Sequence, residues 1–321
     1  MHSFQELVQQ FEERLSKELP FPQQPSSLYE PCRYFLSLGG KRVRPVLCLM
    51  GNELFGDISP DAWHAAKGIE LFHNFTLIHD DIMDKAPLRR GKQTVHERNG
   101  LTAGILCGDV MNIYAYEQFA RIRHALPQVL HLFNRTSIEV CEGQQLDMDF
   151  EQRDDVRLEE YIRMITLKTS VLLACSLKMG ALLGGATEGN ANKLYEFGKN
   201  LGIAFQLQDD YLDAFGTSDK VGKQNGGDII ANKKTYLLLK AMENADAGQQ
   251  EDIAVLIGEQ HEAKVSRMLR IFSDTGADTA CRQAVQHYSE AAFRCLEEVA
   301  VISKRKEPLK DLATYLLQRE E

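Results

Sequence analysis

The chain has 321 residues, 44% hydrophobic and 26% charged, with a net charge of −9. That length supports a substantial core in one large domain or two. The negative balance argues against a general nucleic-acid binder, which carries a basic face.

The N-terminus, "MHSFQELVQQFEERL", has glutamates where a secretory signal has an apolar run. Its apolar residues Phe4, Leu7, Val8, Phe11 and Leu15 repeat at helical spacing. In "RPVLCLMGNELFG", Pro45 suits a first helical position and Gly56 a C-terminal stop. The stretch "RDDVRLEEYIRMITLKTSVLLACSLKMGALLGG" opens on aspartates suited to capping and ends on Gly184 and Gly185. Its middle, 171–179, is apolar on nearly every face and predicts an interior helix. "QAVQHYSEAAFRCLEEVAVI" is amphipathic, and "KRKEPLKDLATYLLQREE" closes the chain as a short polar-faced helix. No proline lies between Pro127 and Pro308, as expected where helix interiors expel it. Loops are expected at 20–31, 39–44, 85–93, 216–234 and 244–251, none with the composition of an interdomain linker. No strand alternation stands out, and no apolar stretch reaches the length of a membrane span. The seven cysteines are scattered and form no C-x-x-C pair, so they read as buried free thiols in a reducing, cytoplasmic setting. The expectation is one all-α domain over residues 1–321, built around one or two apolar central helices.

Two acidic clusters interrupt the apolar pattern. "LIHDDIMDKAPLRRG" carries Asp80, Asp81 and Asp84, and "FQLQDDYLD" repeats the spacing with Asp209, Asp210 and Asp213. On a helix, positions i and i+4 share a face, so Asp80 with Asp84, and Asp209 with Asp213, form two carboxylate claws. Unpaired carboxylates in apolar surroundings are costly, which calls for raised pKa values or a cation. An all-oxygen donor set favours Mg²⁺ or Mn²⁺ over zinc. Mg²⁺ takes one or two carboxylates and completes its shell with water and phosphate oxygens. The bland alternative is a solvated helix face, and the repetition of the motif weighs against it.

Basic residues flank the claws. "GGKRVRP" puts Lys41, Arg42 and Arg44 on a glycine-rich loop before a helix N-terminus, a place that favours anions. It is not a Walker A loop, since no Ser or Thr follows the lysine. Arg89 and Arg90 follow the first cluster. Lys168 and Thr169 lie in "LKTS", and Lys220, Lys223, Lys233 and Lys234 follow the second cluster. Any one of these alone reads as surface solvation. Together they suit a polyanionic substrate on an acidic protein.

The ordered set "GGKRVRP", "LIHDDIMDKAPLRRG", Gly108–Asp109, "GQQLD" at 143–147, "KTS" and "FQLQDDYLD" resembles the trans-isoprenyl diphosphate synthases, the farnesyl and geranylgeranyl diphosphate synthase family, over nearly the whole chain. The resemblance implies a bundle of long antiparallel helices around a deep central cavity, the isoprenoid synthase type, usually as a homodimer. It implies two aspartate motifs facing each other and binding about three Mg²⁺ ions. Asp80, Asp84 and Asp209 then match direct ligands, and Asp81, Asp210 and Asp213 match ligands or their supports. Arg89, Lys168, Lys223 and Lys233 match the holders of an allylic diphosphate, with Thr169 and Gln206 in its pocket. Lys41, Arg44, His73 and Arg90 match a metal-free site for isopentenyl diphosphate. For His73 alone a satisfied core histidine is the simpler reading. The family's basic C-terminal tail is poorly matched by "LLQREE", with only Arg319.

The implied reaction is ionisation of the allylic diphosphate, attack by the isopentenyl double bond and proton loss, with Arg89, Lys168 and Lys223 sharing the leaving charge. A class I terpene cyclase, a non-catalytic subunit of a heteromeric synthase and a helical metal scaffold are the rivals. A cyclase has no use for the "GGKRVRP" loop and Arg90, and non-catalytic subunits tend to lose these aspartates. Phe75 lies five residues before Asp80, about 7.5 Å along a helix axis, with Phe72 nearly a turn further. In the family a bulky aromatic at that position is a floor for short products. With the small Thr76 beside Phe75, a C20 product is expected ahead of C15.

Overall fold

The computed structural model describes residues 1–216, 226–259 and 263–318. The helices are α1 (Phe4–Lys17), α2 (Ser26–Ser37), α3 (Val43–Glu53), α4 (Pro60–Met83), α5 (Val95–Asn99), α6 (Leu101–Phe119), α7 (Leu126–Glu151) and α8 (Leu158–Ile165). A π-helical turn, Thr166–Ser170, joins α8 to α9 (Val171–Leu183). Then come α10 (Glu188–Phe215), α11 (Gly227–Ile230), α12 (Tyr236–Asn244), α13 (Ala247–Gly258), α14 (Ala263–Asp274), α15 (Ala277–Glu297) and α16 (Ser303–Leu317). The one described sheet is a hairpin of β1 (Leu88–Arg89) and β2 (Lys92–Gln93), antiparallel, with Leu88 opposite Gln93.

The chain gathers into two compact units. The first comprises Met1–Leu132, Ser176–Asn192 and Lys304–Pro308, and the second Phe133–Cys175, Lys193–Ser303 and Leu309–Glu321. In the first, α1 starts on a capping box between Ser3 and Glu6 and buries Leu7, Phe11 and Leu15. Helix α4 starts on Ser59, whose hydroxyl accepts from the Ala62 N–H at 3.2 Å, and it packs along α6. Gly180 on α9 lets the α3 backbone pass close by: a Cβ there would sit 1.9 Å from the Cys48 carbonyl oxygen. In the second unit, Phe150, Tyr161, Leu207, Leu237, Leu256 and Phe272 belong to one buried cluster.

Several local expectations need correction. Helix α2 begins within the expected 20–31 loop and contains Pro31. Burial of Cys32, Phe35 and Leu36 outweighs the hydrogen bond that proline removes. Pro45 is the third residue of α3, not the first. Helix α8 starts at Leu158, beyond the aspartates expected to cap it. There the Glu160 carboxylate accepts from the Arg157 N–H at 3.0 Å, and Asp155 pairs with Arg153. The hairpin falls where a loop was expected, because strands of two residues are too short to show alternation. Leu158–Leu183 is one helical run of 26 residues, with a window of mean hydropathy 1.4, so a stretch of spanning length does exist. Two-thirds of that window (67%) is buried inside the protein, as for a core helix.

Candidate active site

The first acidic cluster occupies the last turn of α4. The Asp84 N–H still donates to the Asp80 carbonyl at 2.9 Å, so the two residues stand one turn apart on one face. Asp84 is exposed and Asp80 half-buried. Asp81 turns away from them. It is 1% exposed, and both its oxygens accept from Arg89 Nε, at 2.8 and 3.0 Å. Burial pushes the Asp81 carboxyl up, against the pull of Arg89. The same guanidinium stands 3.8 Å from Asp80. A helix C-terminus carries partial negative charge, so carboxylates there are disfavoured by about 0.3–1 kcal/mol each unless a cation answers them. Asp209, Asp210 and Asp213 repeat this arrangement in the last two turns of α10.

A separate cationic site lies in the same unit. Arg42 and Arg90 both adopt left-handed backbone, with φ of 50° and 53°. Arg44 NH1 lies 3.1 Å from His73 Nε2. Burial, and then the charges of Arg44, Arg90, Arg89 and Arg42, hold His73 well below its ordinary range. Its ring is therefore neutral and accepts from Arg44. Burial lowers Arg44 to about 10, opposed by Glu70. Arg90 donates to the Gly39 carbonyl, closing the hairpin onto the glycine loop. Lys41 is exposed on that loop. Arg42, which the motif match left without a role, is buried and pairs with Glu70 and, at 2.5 Å, with Glu12. Glu70 also accepts from Asn74 Nδ2 at 2.8 Å. This network under Arg44 and His73 was missed in the sequence. Its signal was an acid, Glu70, on an otherwise apolar stretch of α4.

On the same helix, the Phe75 ring packs against Phe72 and His79, with centroids 5.5 and 4.9 Å apart. Thr76 is half-buried, its hydroxyl donating to the His73 carbonyl at 2.8 Å.

In the second unit a cavity of about 510 Å³ is lined by Lys168, Thr169, Gln206, Asp210, Lys233 and Lys234, among others. Lys168 rides on the π-helical turn and donates to Asp147 at 2.5 Å. Gly143 makes that approach possible, since a Cβ there would sit 2.2 Å from the Lys168 backbone nitrogen. Thr169 donates to Gln206 at 3.4 Å, and Gln206 donates to Asp210 at 3.2 Å. Asp210 is buried and also accepts from the Tyr161 hydroxyl and, at 3.4 Å, from the Tyr236 N–H. Burial raises its carboxyl to about 7. Asp213 accepts from the Asp228 N–H at 2.9 Å, and Lys233 lies 3.7 Å from the Asp228 carboxylate. Tyr161, Asp147 and Asp228 were not expected as site residues. Only Asp147, inside "GQQLD", carried a sequence signal. Lys220, Lys223 and Arg319 lie outside the described residues.

Among the described residues no three His, Cys, Asp or Glu side chains converge as a finished metal site. Each acidic helix end offers oxygen donors from one face. That donor set fits a hard divalent ion which draws its remaining ligands from water and phosphate.

An acidic helix end in each unit, with cationic residues in the same unit, on a scaffold that is helical but for one hairpin, is an arrangement suited to enzymes that handle diphosphates. A family model described as "Polyprenyl synthetase" matches residues 25–294. A geranylgeranyl pyrophosphate synthase of Geoglobus acetivorans is 38% identical, covering 98% of this chain and 96% of that one. A geranylfarnesyl diphosphate synthase of Natronomonas pharaonis is 35% identical, covering 96% of this chain and 94% of its own. A crystal structure of a geranylgeranyl pyrophosphate synthase superposes with a TM-score of 0.94 at 43% identity over the whole of both chains. One from Pyrococcus horikoshii gives 0.92 at 34% identity, over 98% of this chain and 99% of that one. The chain belongs to the polyprenyl synthetase family, trans-prenyltransferases of the all-α isoprenoid synthase fold. The family generally works with a divalent metal on isopentenyl and allylic diphosphates.

Proposed function

We propose that the protein condenses isopentenyl diphosphate with an allylic diphosphate (dimethylallyl, geranyl or farnesyl) to a linear all-trans prenyl diphosphate. Geranylgeranyl diphosphate (C20) is favoured over farnesyl diphosphate (C15), and residues 1–321 act as one synthase domain. The observation that carries this reading is the pairing, within the first unit, of the Asp80–Asp84 face with the separate Arg44–His73–Arg90 site. A reaction that joins two diphosphates needs a site for each, and the family resemblance implies metal at the first and none at the second. A cyclase needs only the first.

Asp80 and Asp84 of the first unit, and Asp209 and Asp213 of the second, would hold Mg²⁺, about three ions, with Mn²⁺ as a substitute. Such a metal, when bound, offsets the charge that grows on the leaving diphosphate. Asp81 aims Arg89, and Asp210 ties Tyr161 on α8 to α10 and orients Gln206 one turn before it. Arg89, Lys168, Lys223 and Lys233 hold the allylic diphosphate, with Thr169 and Gln206 in its pocket. Lys41, Arg44, His73 and Arg90 hold isopentenyl diphosphate. No protein nucleophile takes part, and the released diphosphate accepts the proton. Phe75 is the floor beneath the growing tail. The names of the relatives in hand support the C20 assignment, since several are geranylgeranyl synthases.

We place the enzyme in the cytoplasm as a homodimer. In support, Leu101, Ile105, Ile113 and Tyr116 expose an apolar stripe along α6, with Ile113 65% exposed, for a second copy to cover. The test is a product assay with Mg²⁺, isopentenyl diphosphate and each allylic starter, read by mass. Consumption of both substrates to a linear C20 diphosphate supports the reading. Consumption of the allylic substrate alone overturns it.

A further inference from the structure

The proposed reaction uses none of the cysteines, yet two of them lie against each other. Cys32 on α2 and Cys107 on α6 are both fully buried, and their sulfurs are 3.1 Å apart. A bonded pair stands at about 2.05 Å, so closure needs roughly 1 Å of further approach between helices that already pack together. The Cys32 thiol also donates to the Leu28 carbonyl at 3.3 Å. The contact with Cys32, and then burial, push the Cys107 thiol up. The reactive thiolate is therefore scarce in the closed fold, and exchange begins when α2 opens or while the chain folds.

We propose that Cys32 and Cys107 are a redox modification site, closed into a disulfide by a small oxidised thiol. One cysteine thiolate attacks the small disulfide, forming a mixed disulfide and releasing one small thiol. The second cysteine attacks the protein sulfur of that mixed disulfide. The Cys32–Cys107 bond forms and the second small thiol leaves. Two cysteines are oxidised, one small disulfide is reduced, and both protons depart on the released thiols.

The bond closes a loop with a sequence separation of 75 residues. That loop contains every proposed site residue of the first unit, from Lys41 to Arg90. Helix α2 ends at Ser37, just before Gly39 and Gly40, so the tie anchors the base of the cationic loop. Under reducing conditions the pair stays a close-packed thiol contact. Under oxidising conditions it becomes a staple that keeps the first unit folded at higher temperature. The proposal does not depend on the substrate assignment.

The test is to refold the full chain from denaturant in a glutathione redox buffer and map its cysteines by mass. Exposed Cys141 serves as the internal control, since it should take up glutathione. The expected result is a Cys32–Cys107 crosslink with a loss of about 2 Da and no adduct on either residue. The unfolding midpoint should rise by about 5 °C over the dithiothreitol-treated protein. That rise should vanish in Cys32→Ser, which should retain basal turnover. If Cys32 and Cys107 stay free, or each carries glutathione, while Cys141 is modified, the proposal is overturned. A midpoint shift that persists in Cys32→Ser also overturns it. Should that variant fail to fold, the mass map of the wild-type chain decides alone.

Discussion

At the scale of single residues, the two aspartates of each D-D pair have different surroundings. Asp80 stays on the open face with Asp84, whereas Asp81 is buried under Arg89. Asp210 is likewise buried under Tyr161 and Gln206. The open-face residues carry the metal claim. Asp80→Ala or Asp209→Ala should cut turnover by several orders of magnitude with an almost unchanged unfolding midpoint, because repulsion at a helix C-terminus is relieved. Near-normal Mg²⁺-dependent turnover in either variant would show that the claws are not the metal site. The cationic residues divide in the same way. Arg90→Ala should raise the KM for isopentenyl diphosphate, and Lys168→Ala that for the allylic substrate. Each loss should be about 1.5–3 kcal/mol, roughly 10- to 150-fold. Steady-state kinetics with one substrate varied at a time will check this, and equal effects on both substrates would contradict the assignment.

At the scale of elements, the site depends on close backbone approaches. Gly143 on α7 admits the π-helical turn that presents Lys168 to Asp147. Gly143→Ala should displace that turn and raise the allylic KM about 10-fold or more, with a smaller change for isopentenyl diphosphate. Unaltered kinetics would mean that the turn is not held by this contact. The helices and both acidic clusters were legible in the sequence because they rest on periodicity and on i, i+4 spacing, which one stretch of chain displays by itself. The Glu12–Arg42–Glu70 network and the Tyr161–Asp210 bond join residues 28 to 49 positions apart in the chain, and nothing local marks them. Pro31 misled for a related reason: its local cost is visible in sequence, whereas the burial around it is tertiary. The run Leu158–Leu183 hid its length behind Lys168 and the glutamates at its start, although its core window is apolar. Along α4, Phe75 is the proposed floor, five residues before Asp80. Phe75→Ala should lengthen the product at retained turnover, as read by mass. Lower stability with an unchanged product length would make Phe75 ordinary core.

At the scale of the whole molecule, an acidic chain can take polyanions where the carboxylate faces proposed for metal are set along the chain with arginines and lysines, from half-buried Lys168 to exposed Lys41 and Lys233. Net charge therefore says little about the substrate, and local placement decides it. His73 shows this: burial, and then the surrounding arginines, hold it well below its ordinary range, so it stands as a neutral acceptor beside Arg44. The central claim is that two diphosphates are joined. It is tested most directly by incubating the protein with Mg²⁺, isopentenyl diphosphate and farnesyl diphosphate, and following both substrates and the product mass together. The account predicts equimolar consumption of the two, release of one diphosphate per turnover and a linear C20 diphosphate. Loss of farnesyl diphosphate without isopentenyl diphosphate, giving a cyclised or hydrolysed product, would contradict it.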